Sequence, residues 1–306
     1  MNGLIKIKVP ASTANLGPGF DTLSLALDLY NEFTFKIKQE EGFTINQKFS
    51  GKLPEDSSNL VYKSFCEVFK KLKKDPPGID LDIDCKIPLA AGLGSSASAV
   101  VSGLLAANSF SGDPLSKNEL LSLATKIEGH PDNCAAAIFG GLTISVSLDE
   151  KVYISKFPWP DELLIVLVIP DFELPTKISR ELLPPKVSFS DATFNVSRTA
   201  FLLSGLLNKD WECLRIGFQD RLHQPFRKDL VPGMDKVLEE GLKNGALGGT
   251  LSGAGPTLVA FVNDLKKADN VGLSMKNKWM EYKINSTYKV VKVDKSGAKV
   301  ENLVAK

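Results

Sequence analysis

The chain has almost no net charge: 37 Lys and Arg against 36 Asp and Glu leave a formal +1. Neither a nucleic acid nor an acidic membrane surface has an electrostatic claim on it. Cysteine is sparse, and the four present (Cys66, Cys85, Cys134 and Cys213) lie far apart with no C-x-x-C spacing. That excludes a zinc or disulfide framework and predicts buried thiols in a reducing compartment. Histidine is limited to His130 and His223, and a lone histidine such as His223 is read as structural. The longest apolar run, 163–169, is too short to cross a bilayer. Lys6 and Lys8 interrupt the only apolar stretch near the N-terminus, so no signal peptide is expected and a cytoplasmic protein is. Internal repeats and low-complexity tracts are missing. So are the two commonest phosphate loops: no Gly-Lys precedes Ser or Thr in a Walker pattern, and no G-x-G-x-x-G occurs.

What is present is an ordinary globular composition, 43% hydrophobic and 24% charged, on 306 residues, enough for two domains. Apolar alternation predicts strands at 5–9, 33–37, 79–87, 142–146, 258–262 and 288–293, and the unbroken apolar run at 163–169 predicts another. Helical spacing predicts helices near 58–73, 96–109, 117–128, 192–207, 211–221 and 233–243. Lys70, Lys71, Lys73 and Lys74 close the first of these, where cations suit a helix C-terminus. Pro158 and Pro160 mark a boundary between domains 1–158 and 159–306. Strands and helices mix without a regular βαβ rhythm, which predicts an α+β fold.

The most informative stretch is Pro88-Leu89-Ala90-Ala91-Gly92-Leu93-Gly94-Ser95-Ser96-Ala97-Ser98-Ala99. It joins a predicted strand to a predicted helix with small residues. Free N–H groups and the positive dipole end of a helix attract an anion. Gly92 and Gly94 are expected to leave the backbone open to phosphate oxygens. Ser95 or Ser96 can cap the helix, bind phosphate or sit beside Mg²⁺. A plain strand-to-helix turn with serine capping is the bland alternative.

Three further stretches carry chemistry. After the first strand comes Ala11-Ser12-Thr13-Ala14-Asn15-Leu16-Gly17-Pro18-Gly19-Phe20-Asp21, a loop with Asn15 and Asp21 bracketing a turn. Glu128-Gly129-His130-Pro131-Asp132-Asn133 packs an acid, an imidazole and an amide between apolar segments. A carboxylate such as Glu128 beside a phosphate loop suits Mg²⁺, although a helix C-terminus with a turn explains the same string. Leu251-Ser252-Gly253-Ala254-Gly255-Pro256-Thr257 again suits close backbone approach to an anion. Arg180 and Arg227 offer planar forks for a carboxylate, and Asp21 a partner for an ammonium or hydroxyl. Taken alone, each arginine also reads as a surface residue.

The stretches at 88–99, 11–21, 128–133 and 251–257, in that arrangement, resemble the GHMP kinases, and in particular the branch acting on an amino-acid alcohol, L-homoserine. The resemblance implies a two-domain fold: a ribosomal S5-like N-terminal, ATP-binding domain and a ferredoxin-like C-terminal domain. It implies transfer of phosphate from ATP to L-homoserine, giving O-phospho-L-homoserine in threonine synthesis. Pro88 through Ser98 would hold the nucleotide, with Asn59 in the adenine pocket. Ser96 and Glu128 would hold Mg²⁺. Asn15, Asp21, His130, Thr176, Arg180, Arg227 and Gly253 would hold the amino acid. Asp21 and Asn133 are the expected catalytic positions, yet related mevalonate kinases carry an aspartate near the place of Asn133, and an asparagine is no base. Either Asp21 takes the proton or no dedicated base exists. Ala136 stands where many relatives have proline, a departure that touches no expected ligand. Self-association as a homodimer is left open. A kinase for mevalonate or shikimate, or a silent GHMP-fold regulator, are the alternatives.

Overall fold

A computed structural model describes residues 3–40, 42–48 and 53–303. Two sheets organise them. The first runs β11 (Lys299–Asn302), β1 (Leu4–Ala14), β2 (Leu23–Lys38), β4 (Gly78–Asp84) and β3 (Phe43–Gln47). The far part of β2 also pairs β5 (Leu142–Leu148), which pairs β6 (Lys151–Phe157). Helices α1 (Leu60–Leu72), α2 (Ser95–Phe110), α3 (Lys117–Glu128) and α4 (Asp132–Phe139) belong to this unit. Ile7, Phe33, Phe35 and Leu81 of the sheet share one core with Phe65, Leu104 and Leu121 of the helices. As expected, Lys70 and Lys71 lie in the last turn of α1.

The second sheet is ordered β10 (Ser286–Val291), β7 (Leu164–Pro170), β9 (Leu258–Val262) and β8 (Gly248–Leu251). Strand β7 is buried along its whole length because both faces are covered. Ile165 and Leu167 meet Leu25 and Leu27 of β2, with Leu202 of α6 (Phe189–Asn208) and Leu214 of α7 (Trp211–Gly217). Val166 and Val168 face Val237 of α9 (Met234–Lys243) and Val271, Met275 and Trp279 of α10 (Leu265–Glu281). The shared core under β2 and β7 fixes the two units against each other. Short helices α5 (Thr176–Glu181) and α8 (Gln224–Arg227) lie between them.

Four expectations change. Strand β1 runs through Ala14, with a register shift at Pro10/Ala11, so residues 11–14 are strand and not loop. A division at 158/159 puts the chain's last strand in the second domain, whereas β11 pairs β1 and Val293 bridges Leu27. The helix expected over 211–221 ends at Gly217. Cys134 alone of the four thiols is fully buried; the others are half-buried. No described helix is long and apolar enough to cross a membrane.

Candidate functional site

A cleft of about 670 Å³ opens between the units. Its floor is the N-terminus of α2. Gly94 occupies the N-cap position with φ 71° and no side chain caps the helix, so the serine-capped turn, the bland alternative, is not formed. The first helical bond runs from Ser98 N to Gly94 O at 2.9 Å, so the N–H groups of Ser95, Ser96 and Ala97 have no helical acceptor. All three residues line the cleft, as do Ala90, Ala91 and Gly92.

The two loop glycines do something other than expected. A Cβ on Gly92 (φ +75°) would overlap the Ser252 carbonyl oxygen and come within 2.8 Å of Gly255 O. A Cβ on Gly94 would overlap Ser12 Oγ. The missing side chains let the 88–94 loop, the 252–255 loop and the end of β1 pack together, and these segments fill that space themselves. Bonds across the junction are Ser12 N to Leu93 O (3.1 Å), Gly253 N to Ala14 O (3.1 Å) and Ser252 Oγ to Gly92 O (2.6 Å).

Five of the expected nucleotide residues, Asn59, Pro88, Leu89, Leu93 and Ser98, do not line the cleft. Leu93 is buried in the core beneath the loop. Ser98 is buried too, accepting from Asn31 Nδ2 at 2.9 Å and donating to Ser95 O at 2.7 Å. Pro88 lies outside the lining. Leu89 borders an adjoining cavity of about 330 Å³ with Phe33, Leu53, Val61 and Cys85 among its walls. Ala90, Ser95, Ser96 and Thr176 line both spaces. Asn59 borders the smaller one, but its amide caps α1: Oδ1 accepts from Val61 N and Tyr62 N, and Nδ2 donates to Pro54 O. Both ends are engaged by the fold, which leaves one Nδ2 hydrogen for any contact to a base.

Ser96 Oγ donates to the Glu128 carboxylate, so the expected metal pair is in contact. Burial pushes the Glu128 carboxyl above its ordinary range, more than the serine bond lowers it. Among the described residues it has no ion-pair partner. A half-buried carboxylate with a hydroxyl beside it, at a helix N-terminus, is a donor set that fits Mg²⁺.

Across the cleft stand the amino-acid residues. Arg180 of α5 grips Asp21 with two parallel bonds, at 2.6 and 3.0 Å. Both Asp21 oxygens are therefore engaged, which counts against Asp21 as a free base. Arg180 Nε is buried with no partner. Arg227, 1% exposed, donates to Ser179 O, Gly253 O and His223 Nδ1. Burial, then the neighbouring Arg180 charge, pull its pKa down to about 10. Two guanidiniums pressed together in a cleft with unused N–H groups want an anion. Phe20 lies under both, 5.6 and 5.4 Å from ring centre to guanidinium carbon. Its place between Gly19 and Asp21 is the one signal that could have found it.

Asn15 works as a strut: Nδ2 donates to Gly253 O at 2.9 Å and Oδ1 accepts from Asp21 N at 3.0 Å. His223 is buried, as a structural residue should be, and Nε2 contacts Gly17 O at 2.8 Å. Asn133 Oδ1 accepts from Ser12 Oγ at 2.8 Å, tying α4 to β1 at the cleft wall. His130 Nδ1 lies 2.6 Å from Asp132 Oδ1. Burial opposes a charged imidazole, but the bond to Asp132 and its charge outweigh that and raise the His130 pKa. Asp132, 2% exposed, was passed over in the sequence although it lies inside the 128–133 string. With Asp21 and His130 it forms a group whose ligand atoms all lie within 4.8 Å of one another.

Two family models match: the GHMP kinases N terminal domain over residues 59–141 and the GHMP kinases C terminal domain over 202–281. The homoserine kinase of Halothermothrix orenii is 44% identical over 298 residues, covering 96% of this chain and 95% of its own. That of Desulfitobacterium hafniense is 39% identical over 299 residues, covering 97% and 100%. The crystal structure of homoserine kinase from Cytophaga hutchinsonii superposes with a TM-score of 0.90 at 32% identity, covering 98% of each chain. The Methanococcus jannaschii mevalonate kinase, at 17% identity and TM-score 0.71 over 94% of this chain and 98% of that one, shares the fold.

Proposed function

The chain belongs to the homoserine kinase branch of the GHMP kinases, and from that premise we propose how its residues divide the work of phosphorylating L-homoserine with ATP. The observation that carries the reading is one cleft holding an uncapped helix N-terminus on one side and the Arg180, Arg227 and Asp21 group on the other. The N–H groups of Ser95, Ser96 and Ala97 receive phosphate oxygens. The adjoining cavity with Phe33, Leu53 and Val61 receives the adenine by apolar contact, and Asn59 shapes its rim. Ser96 and Glu128 would hold Mg²⁺, which when bound neutralises charge on the transferring phosphates.

The substrate carboxylate goes to Arg180 Nε and the free end of Arg227, and the ammonium to Asp21 with Asp132 beside it. His130 is fixed by Asp132, and Gly253 O holds Asn15 and Arg227 in place. No dedicated base is needed, because a loose transition state asks little of the nucleophile before the leaving bond breaks. Asn133 then positions the wall and takes no proton. The product, O-phospho-L-homoserine, feeds threonine synthesis. A cytoplasmic setting belongs to the same reading, as does a homodimer, for which Phe189, Val196 and Leu207, exposed along α6, offer a surface.

The test is ADP release with a panel of L-homoserine, mevalonate and shikimate at millimolar concentration. L-homoserine should be turned over and the two acids without an ammonium should not. Preference for either acid, or no ADP from any of them, would refute the assignment.

A further inference from the structure

On the other side of α8 lies a second cavity, of about 550 Å³, that plays no part in the chemistry above. Phe218, Met234 and Leu238 make its apolar walls. The Phe218 ring lies flat on Phe261, with centroids 4.5 Å apart and planes at 7°. A side chain at Gly248 would overlap that ring, so the bare strand and the ring together seal the floor.

The polar part is built, not incidental. Gln224 is 9% exposed and lines the cavity. Its Oε1 accepts from Leu251 N at 2.9 Å and from Thr250 Oγ1 at 3.2 Å. Its Nε2 makes no hydrogen bond to a described residue and is open to solvent in the cavity, so it remains available as a donor. Leu251 N points to the outer edge of β8, so alternation puts Gly249 N–H, two residues earlier, on the same open edge. At the rim stands Arg215, without an ion-pair partner among the described residues.

We propose that this cavity is a second small-molecule site, taking a carboxylate carried on an apolar body. The carboxylate meets Arg215 and Gln224 Nε2, and the body packs against Phe218, Met234 and Leu238. The site is coupled to the cleft by the short helix α8. Gln224 begins that helix and Arg227 ends it. Asp220 pins its entry by accepting from Leu222 N, His223 N and Gln224 N. A ligand drawn onto Gln224 loads the same turn that sets Arg227. That coupling rests on Arg227 as a substrate residue; the binding does not.

The experiment titrates the full chain with isocaproate and with the neutral isocaproamide, read by calorimetry and by saturation-transfer NMR. Isocaproate should bind saturably and the amide at least about tenfold more weakly, since a hydrogen bond to a charged group contributes ~1.5–3 kcal/mol. Arg215→Ala should weaken isocaproate by the same factor, and Leu238→Trp should block it while the circular dichroism spectrum stays that of the parent. Arg180→Ala should leave the isocaproate affinity within about twofold, and saturating L-homoserine should change it by the same factor by which isocaproate changes homoserine binding. Isocaproate should shift the homoserine KM of the parent and not that of Leu238→Trp. The site is refuted by no saturable binding, by mutually exclusive binding of isocaproate and L-homoserine, or by full binding to folded Leu238→Trp. A sedimentation run in which Leu238→Trp splits a dimer would give the cavity to a second copy instead and equally overturn the site. None of these binding readouts depends on whether the chain releases ADP.

Discussion

Gly92→Ala puts the loop junction to a quantitative test. The added methyl must adopt φ +75°, a left-handed backbone costing about 1–2 kcal/mol. It also meets backbone: Ser252 O, Gly255 O at 2.8 Å and Gly255 N at 3.0 Å. Backbone cannot swing aside as a side chain can, so the 252–255 loop must withdraw. Withdrawal strains Ser252 Oγ to Gly92 O (2.6 Å), Gly253 N to Ala14 O (3.1 Å) and Thr257 N to Ala91 O (3.3 Å), each contributing about 1 kcal/mol. The combined loss is about 4 kcal/mol, or roughly 6 °C in melting temperature for a chain of this size. Gly112→Ala is the control: it has φ +85° but nothing within 4 Å of its Cβ. It should lose only the backbone strain, about 1–2 kcal/mol. Thermal unfolding of both variants by calorimetry decides. If Gly92→Ala melts no lower than Gly112→Ala, the glycine does not serve loop packing. Because Gly253 O holds both Asn15 and Arg227, Gly92→Ala should also raise the homoserine KM in whatever fraction stays folded.

Glu128→Gln should cut kcat by more than about a hundredfold, since charge stabilisation by a bound cation contributes several kcal/mol, and leave homoserine KM nearly unchanged; equal, small losses in both would take Glu128 out of the metal site. The His130 pKa is raised in the fold, against burial and through Asp132, so the stability contributed by that pair is complete below about pH 6.5, the imidazole's unfolded value, and is lost as pH rises through the higher native one. Urea midpoints from pH 5 to 9 should show that decline in the parent and a flatter profile in Asp132→Asn; matching slopes would contradict it. Arg227→Ala removes the side-chain donor of the Ser179 carbonyl, at about 1–3 kcal/mol, and one of the two donors of Gly253 O, which keeps Asn15 Nδ2. It should also raise the KM for homoserine while costing 3-amino-1-propanol, which lacks the carboxylate, little further; an equal penalty on both alcohols would place Arg227 off the carboxylate.

Local pattern settled much of this molecule before any tertiary contact. Strict alternation at 5–9, 33–37 and 79–87, and 3.6-residue spacing through α1 and α3, name their elements because one face of each is more buried than the other. The uninterrupted run of β7 announced a strand covered on both sides. Site residues were legible where a motif concentrates chemistry in a few positions: Ser96 and Glu128 meet, whereas Asp21, expected at the ammonium end of a substrate, is paired directly with Arg180. Other elements gave little signal. Strand β11 is four exposed residues, and its pairing with β1 spans nearly the whole chain. In α10, charged residues surround a seam of Ala268, Val271, Met275 and Trp279, so the stripe shows only once β7 and β9 lie over it. Roles were harder to read than positions, because a side chain's role is set by what folding leaves unbonded. Asn59, Asn15 and Ser98 have site-like chemistry, yet their polar atoms are engaged in holding α1, the 15–21 turn and the α2 entry. Asp132 and Phe20 look ordinary in sequence and stand in the cleft wall. Sequence periodicity determines which surface each segment must bury; which hydrogen-bonding atoms remain free at the cleft is decided only when segments more than a hundred residues apart close upon one another.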